Sequence, residues 1–124
     1  MTDLYEWGWG QSFHFSPRLP GKDWAASEAA HEARLAALLA LGPGLKCLDV
    51  GCGVGGPMRT IAATSGAEVT GITINGYQVQ RATHHNTAVR SYLMHSPPFA
   101  ALLYTDASAE IRHGTLAITA ALWG

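Results

Sequence analysis

The stretch "LDVGCGVGGP", residues 48 to 57, constrains the fold more than any other part of the chain. Its glycines at 51, 53 and 56 match G-x-G-x-x-G. "KCLDVG" before it is a short apolar run that reads as a strand, and "PMRTIAATSG" after it reads as a helix, with Pro57 in its first turn and Gly66 at its end. That context is what a lone glycine pattern lacks. Gly51 permits the tight turn, Gly53 lets a ligand press against bare backbone, and the later glycines let helix and strand pack closely. The stretch therefore predicts a site for a nucleoside-bearing cofactor. An ordinary strand-to-helix turn is the plainer alternative.

The surroundings extend the pattern. Residues 24 to 41 are rich in Ala, Leu, Glu, His and Arg, with Asp23 or Ser27 as N-cap and Gly42-Pro43-Gly44 closing the segment, so a helix is expected there with Trp24, His31, Leu35, Leu38 and Leu39 near one face. "AEVTGITI" (67 to 74) is a β-branched run and "GYQVQRATHHN" (76 to 86) reads as a further helix. Helix, strand, helix, strand, helix is the order of a parallel sheet with covering helices, an α/β fold.

The residues just beyond the second strand decide which nucleoside cofactor is expected. Dinucleotide enzymes place an acid about 20 residues beyond the glycines, on the adenosine ribose. Here that region reads Gly71-Ile72-Thr73-Ile74-Asn75, and no Asp or Glu occurs from Val69 through Thr105. The nicotinamide reading loses its second anchor. "YEWGWGQSFHF" (5 to 15) sets Tyr5, Trp7, Trp9, Phe13 and Phe15 on odd positions, which suits either one buried face of a strand or a surface that holds something apolar.

"LDVGCGVGGPMR" resembles the first motif of class I methyltransferases, and together with "YEWGWGQSFHFSP" and "GITINGYQV" the likeness narrows to the sterol C24-methyltransferases over roughly residues 2 to 86. The resemblance implies a truncated Rossmann-like class I methyltransferase with a short parallel sheet. It also implies S-adenosyl-L-methionine as cofactor, held by Asp49, Gly51, Cys52, Gly53, Gly55 and Gly56, with Asn75 meeting the ribose hydroxyls. Asn75 would equally serve as N-cap of the next helix. The family's aromatic block is assigned to the sterol site, giving Tyr5, Glu6, Trp7, Trp9 and His14 contact with substrate. Glu6 would stabilise charge or anchor the sterol hydroxyl, and His14 would equally be a satisfied loop residue. The family also implies peripheral work at the cytosolic face of the endoplasmic reticulum.

Other classes are excluded or disfavoured. The net charge is −1 at pH 7, and the eight Lys and Arg are scattered, so nucleic acid is not an expected partner. Cys47 and Cys52 lie too close in sequence for a disulfide to constrain much, and reduced thiols are expected. His31-Glu32 lacks the second His of a zinc protease helix, because Leu35 stands there, and adjacent His84 and His85 point apart; no metal is expected. No apolar run approaches the roughly 18 residues that span a bilayer. Oligomeric state is left open.

The chain accordingly divides into three parts: an aromatic sterol-site segment at 1–21, the cofactor-binding part at 22–86, and a divergent tail at 87–124. Family-like sequence stops after Asn86, so the chain reads as a truncated form whose second strand would have an unpaired edge, with marginal stability and poor solubility. Phe99 to Thr105 and Thr115 to Trp123 are nevertheless candidate strands, and "ALLYTDAS" is a candidate third strand ending at Asp106.

Overall fold

The computed structural model describes residues 1–92, 103–104 and 115–118, the side chains of 1–86 among them. Its eight elements, in chain order, are α1 (Thr2–Trp9), α2 (Trp24–Leu38), β1 (Lys46–Val50), α3 (Gly56–Ser65), β2 (Glu68–Ile72), α4 (Gly76–Tyr92), β3 (Leu103–Tyr104) and β4 (Thr115–Ile118). The strands form one sheet in the order β3-β2-β1-β4. Every pairing is parallel: Cys47 lies opposite Val69 and Leu116, and Gly71 opposite Leu103. This is a doubly wound order, in which the strand sequence reverses its direction of travel across the sheet between β1 and β4 and leaves a crevice beyond the carboxyl end of β1.

The tail supplies both outer strands. The expected bare edge of β2 is therefore corrected: Gly71 and Ile72 pair with Leu103 and Tyr104. β3 falls within the two candidate stretches around "ALLYTDAS", while Asp106 lies outside the described residues. A short apolar run is enough to add a strand where an open parallel edge offers unpaired N–H and C=O groups.

Local signals explain the helix ends. The Asp23 carboxylate accepts from Ala26 N at 2.8 Å and opens α2, and Asn75 Oδ1 accepts from Tyr77 N at 3.0 Å and opens α4. α2 stops at Leu38 rather than running to Leu41. Ala40 takes φ +50°, with Ala40 N bonded to Ala37 O and Leu41 N to Ala36 O, a Schellman closure that turns Leu41 back against the core.

The core lies between α2, α3 and one face of β1 and β2: Ala36, Cys47, Met58, Ile61, Ala62 and Val69, flanked by Leu35, Leu39 and Leu41. The inward face of α2 differs from the expected apolar stripe. Leu38 is 70% exposed, while Ser27, Glu28 and Glu32 are buried. Glu32 is inside because it holds the N-terminal strap, residues 10–16, through Ser12 and His14, and the Ser27 hydroxyl accepts from Leu19 N.

The aromatic block is not a strand. Residues 2–9 wind into α1, so the alternation of Tyr5, Trp7 and Trp9 becomes a helical spacing. Positions 5 and 9 then share a face and position 7 does not. Trp7 is 87% exposed. Gly10, at φ +84°, reverses the chain, and Phe13 and Phe15 return beneath the helix.

Candidate functional site

Two cavities sit side by side at the carboxyl end of β1. The first is lined by Gln11, Phe13, His14, Asp49, Gly51, Cys52, Gly53, Pro57, Thr73 and Gln78. The second, about 350 Å³, is lined by Tyr5, Trp9, Phe13, His14, Phe15 and Gln78. Phe13, His14 and Gln78 belong to both, so the cavities share a wall.

The glycine loop shapes the first cavity. A Cβ at Gly51 would meet nothing within 4 Å, so this bare backbone borders open space. Gly51 N and Cys52 N both donate to Ile72 O, Gly55 N donates to Cys52 O, and Gly56 N donates to Gln11 O. Four loop amides are thus spent inside the protein. A dinucleotide pyrophosphate needs such amides turned toward it, so the loop offers shape and contact rather than an anion nest.

The carboxylate of this cavity is Asp49. It is 3% exposed, and its Oδ2 makes no hydrogen bond. Burial, with the Glu32 carboxylate adding to it and the His14 charge opposing, pushes its pKa up to about 6. A buried carboxylate oxygen without a partner is costly unless a ligand brings a donor or a cation to it.

The expected site residues divide between the two cavities and the contacts around them. Asp49, Gly51, Cys52 and Gly53 line the first cavity. Gly55 lies against Arg59 and Met58, and Gly56 against Gln11 and Ser12. Asn75 is exposed, and its side chain caps α4. The wall beside it comes instead from Thr73 and Gln78, whose side chains are joined at 2.8 Å. Sequence reasoning passed over these two, although they flank Asn75 at the end of β2. An amide and a hydroxyl together offer the donors and acceptors that a ribose diol requires.

In the second cavity Tyr5 stacks on Trp9, with centroids 5.7 Å apart and planes at 14°. Phe13 tilts against Tyr5 and Phe15 meets Trp9 edge-on, both at 5.9 Å. Trp7 takes no part in this cluster. Glu6 also faces away from the cavity, with Oε2 receiving Arg81 Nε at 2.8 Å and Oε1 receiving His85 Nε2 at 2.6 Å. The Arg81 hydrogen bond holds its pKa below the usual carboxylate range, against the effect of burial. His14 is buried; its Nε2 lies 2.8 Å from Glu32 Oε1, and Ser12 Oγ donates to the same oxygen at 2.6 Å.

Among the described residues no group of three or more His, Cys, Asp or Glu side chains is placed to hold a metal, and no helix is long and apolar enough to cross a membrane.

Comparison with known proteins agrees with this geometry. The family described as mycolic acid cyclopropane synthetase matches residues 2–94. Squalene methyltransferase 1 of Botryococcus braunii is 66% identical over 86 residues, 69% of this chain and 23% of that protein. The 24-methylenesterol C-methyltransferase 2 of Oryza sativa subsp. japonica is 65% identical over 86 residues, 69% of this chain and 24% of that protein. The chain thus spans about a quarter of the length of these relatives. Among solved structures, a cyclopropane synthase of Mycobacterium tuberculosis superposes with a TM-score of 0.61 at 21% identity, covering 76% of this chain and 31% of that one. A mycolic acid cyclopropane synthase in its apo form gives 0.64 at 19% identity, covering 86% and 38%. These two likenesses concern the fold.

Proposed function

Because the chain belongs to the mycolic acid cyclopropane synthetase family and carries the class I methyltransferase fold, we propose that it binds S-adenosyl-L-methionine and serves methyl transfer to the side-chain alkene of a sterol. The observation that carries this reading is the shared wall: a chamber of four aromatic rings opens beside the glycine loop and its unpartnered carboxylate. The relatives named for sterol and squalene methylation support the acceptor class.

The residues present fit the cofactor. Asp49 offers an oxygen that lacks a donor, Gly51 and Gly53 offer bare backbone, and Thr73 and Gln78 offer mixed hydrogen bonding. S-adenosyl-L-methionine supplies an electrophilic sulfonium methyl group. The rings of Tyr5, Trp9, Phe13 and Phe15 form an apolar wall against the acceptor and favour positive charge on it, each by about 0.5–2 kcal/mol. About 1.4 kcal/mol is tenfold in rate, so single rings matter less than the wall they form together. A cavity of about 350 Å³ is at the small end of ligand sites and suits a branched alkene terminus rather than a whole ring system.

Squalene is a second acceptor reading, because the squalene and sterol relatives stand at nearly equal identity, 66% and 65%. An acceptor this apolar resides in membranes, which supports the further proposal of peripheral work at the cytosolic face of the endoplasmic reticulum.

Calorimetric titration with S-adenosylhomocysteine, followed by transfer of labelled methyl to cycloartenol, zymosterol or squalene, tests the reading. Heat of binding and label in a sterol are expected; no heat at millimolar ligand would sink it. Asp49 supplies a sharper check. Asp49→Asn is expected to weaken S-adenosylhomocysteine at least about tenfold, about 1.4 kcal/mol. In the unsubstituted chain affinity is expected to fall as pH drops through about 6, where the carboxylate takes up a proton. Equal affinity at pH 5 and pH 7.5 would remove Asp49 from the binding site.

A further inference from the structure

The structure assigns Glu6 a positioning role: it terminates a one-directional chain of hydrogen bonds that fixes α1 over the aromatic cavity and ties it to the glycine loop. The chain begins at Arg59, a buried residue of α3. Arg59 Nη1 donates to Val54 O, inside the glycine loop, at 2.9 Å and to Asn86 Oδ1 at 3.1 Å. Its Nη2 donates to Gln11 Oε1 at 2.7 Å. That contact leaves the Gln11 amide nitrogen facing His85 Nδ1 at 3.2 Å, and His85 Nε2 then faces Glu6 Oε1 at 2.6 Å.

Each link sets the next. A guanidinium has only donors, so Gln11 must present its oxygen to Arg59 and its NH2 group to His85. His85 Nδ1 must then accept, which leaves the proton on Nε2, aimed at an acceptor-only carboxylate. A cation at one end and an anion at the other thus fix both the amide orientation and the imidazole tautomer. Arg81 closes the far side of Glu6 through Nε and Nη2, at 2.8 and 3.2 Å.

The consequence concerns Tyr5 and Trp9. They flank Glu6 on a helix of eight residues, too short to hold its own place without tertiary ties. Glu6 does not line either cavity, so its charge acts on substrate only through the helix it anchors. What the cavity holds rests on the proposed function; the latch itself does not.

The test uses the whole chain labelled with 5-fluorotryptophan, the Trp9 fluorine resonance being identified by Trp9→Phe. Glu6→Gln and Arg81→Glu are each expected to shift the Trp9 resonance, and Glu6→Asp, which keeps an acceptor-only carboxylate for His85 and Arg81, to leave it nearer its original position. In Glu6→Gln the sterol KM is expected to rise about five- to tenfold with kcat within about twofold. The unsubstituted protein gives an independent reading that no folding defect can obscure: nitrogen-15 shifts should show His85 with Nε2 protonated and Nδ1 bare. The opposite tautomer, or a Trp9 resonance unmoved by Glu6→Gln, would overturn the latch. Absence of methyl transfer with intact fluorine and tautomer signatures would instead count against the proposed function alone.

Discussion

Gly56→Ala is expected to dislodge the N-terminal strap while leaving the sheet in place. A Cβ at position 56 would stand 2.1 Å from Gln11 O, 2.4 Å from Gln11 C and 2.7 Å from Ser12 Oγ. Two of those atoms are backbone, so no rotamer change relieves the clash. Gly56 N also donates to Gln11 O at 3.1 Å, so loop and strap meet main chain to main chain. Moving the strap withdraws Gln11 from Arg59 and Ser12 from Glu32, leaving two buried charged groups short of partners. Overpacking costs typically about 1–3 kcal/mol, and each buried group left unsatisfied adds about 1–3 kcal/mol. Hydrogen exchange checks it: amides of residues 2–16 should lose protection, while Gly51 and Cys52, bonded to Ile72 O, keep theirs. Unchanged exchange across the strap would show that the loop can give way at no cost.

The glycine motif was legible because its chemistry is local. A strand, a turn that needs positive φ at Gly51 and Gly53, and a helix opening on Pro57 all lie within a dozen residues. The sequence does not reveal that Gly56 serves the strap, because Gln11 is far away along the chain and comes near only through the fold. The same reason hid Thr73 and Gln78 behind Asn75, since orientation at a strand end decides which neighbour enters the cavity. The aromatic block misled through its period. Alternate aromatics suit a strand, but the polar ties of Asp3 to Tyr77 and of Glu6 to Arg81 and His85 reward a helix that sets residues 2, 5, 6 and 9 toward the fold. α2 misled in the opposite sense. Leu35 and Leu39 do flank the core, but Leu38 is exposed, and Glu32 is turned inward to meet Ser12 and His14 of the strap. In each case a long-range polar contact outranked a local pattern.

Glu32→Gln removes the charge at the centre of that contact. Glu32 is 1% exposed and receives Ser12 and His14. Burial acts to raise its pKa, yet these hydrogen bonds and the His14 charge outweigh burial and hold it below 4.5. His14 mirrors it: burial pulls its pKa down, and the Glu32 hydrogen bond and charge carry it above 6.5. With Phe15 O near its Nδ1 at 3.4 Å, both ring nitrogens face acceptors, and the imidazolium form is the one that fits. Breaking one side of such a buried pair costs about 3–5 kcal/mol. The double variant Glu32→Gln with His14→Gln should lose less than the sum of the two single losses.

The pH dependence follows from the two directions. His14 binds its proton more tightly when folded, so its contribution is complete below 6.5 and is lost as pH rises through the higher folded value. Glu32 holds its proton less tightly when folded, so its contribution is present above 4.5 and lost as pH falls through the lower folded value. Asp49 adds a slope of its own: its pKa rises from 3.8 to about 6 on folding, so stability declines as pH climbs between those values. The ligand-free chain should therefore melt at a higher temperature near pH 5 than near pH 8. Glu32→Gln should remove the part of the alkaline decline that lies above 6.5. On the proposed function, ligand binding needs Asp49 ionised and improves over the range in which the empty fold weakens. Bound ligand should thus raise the melting temperature more at pH 8 than at pH 5, and an equal rise at both would separate the carboxylate from the ligand.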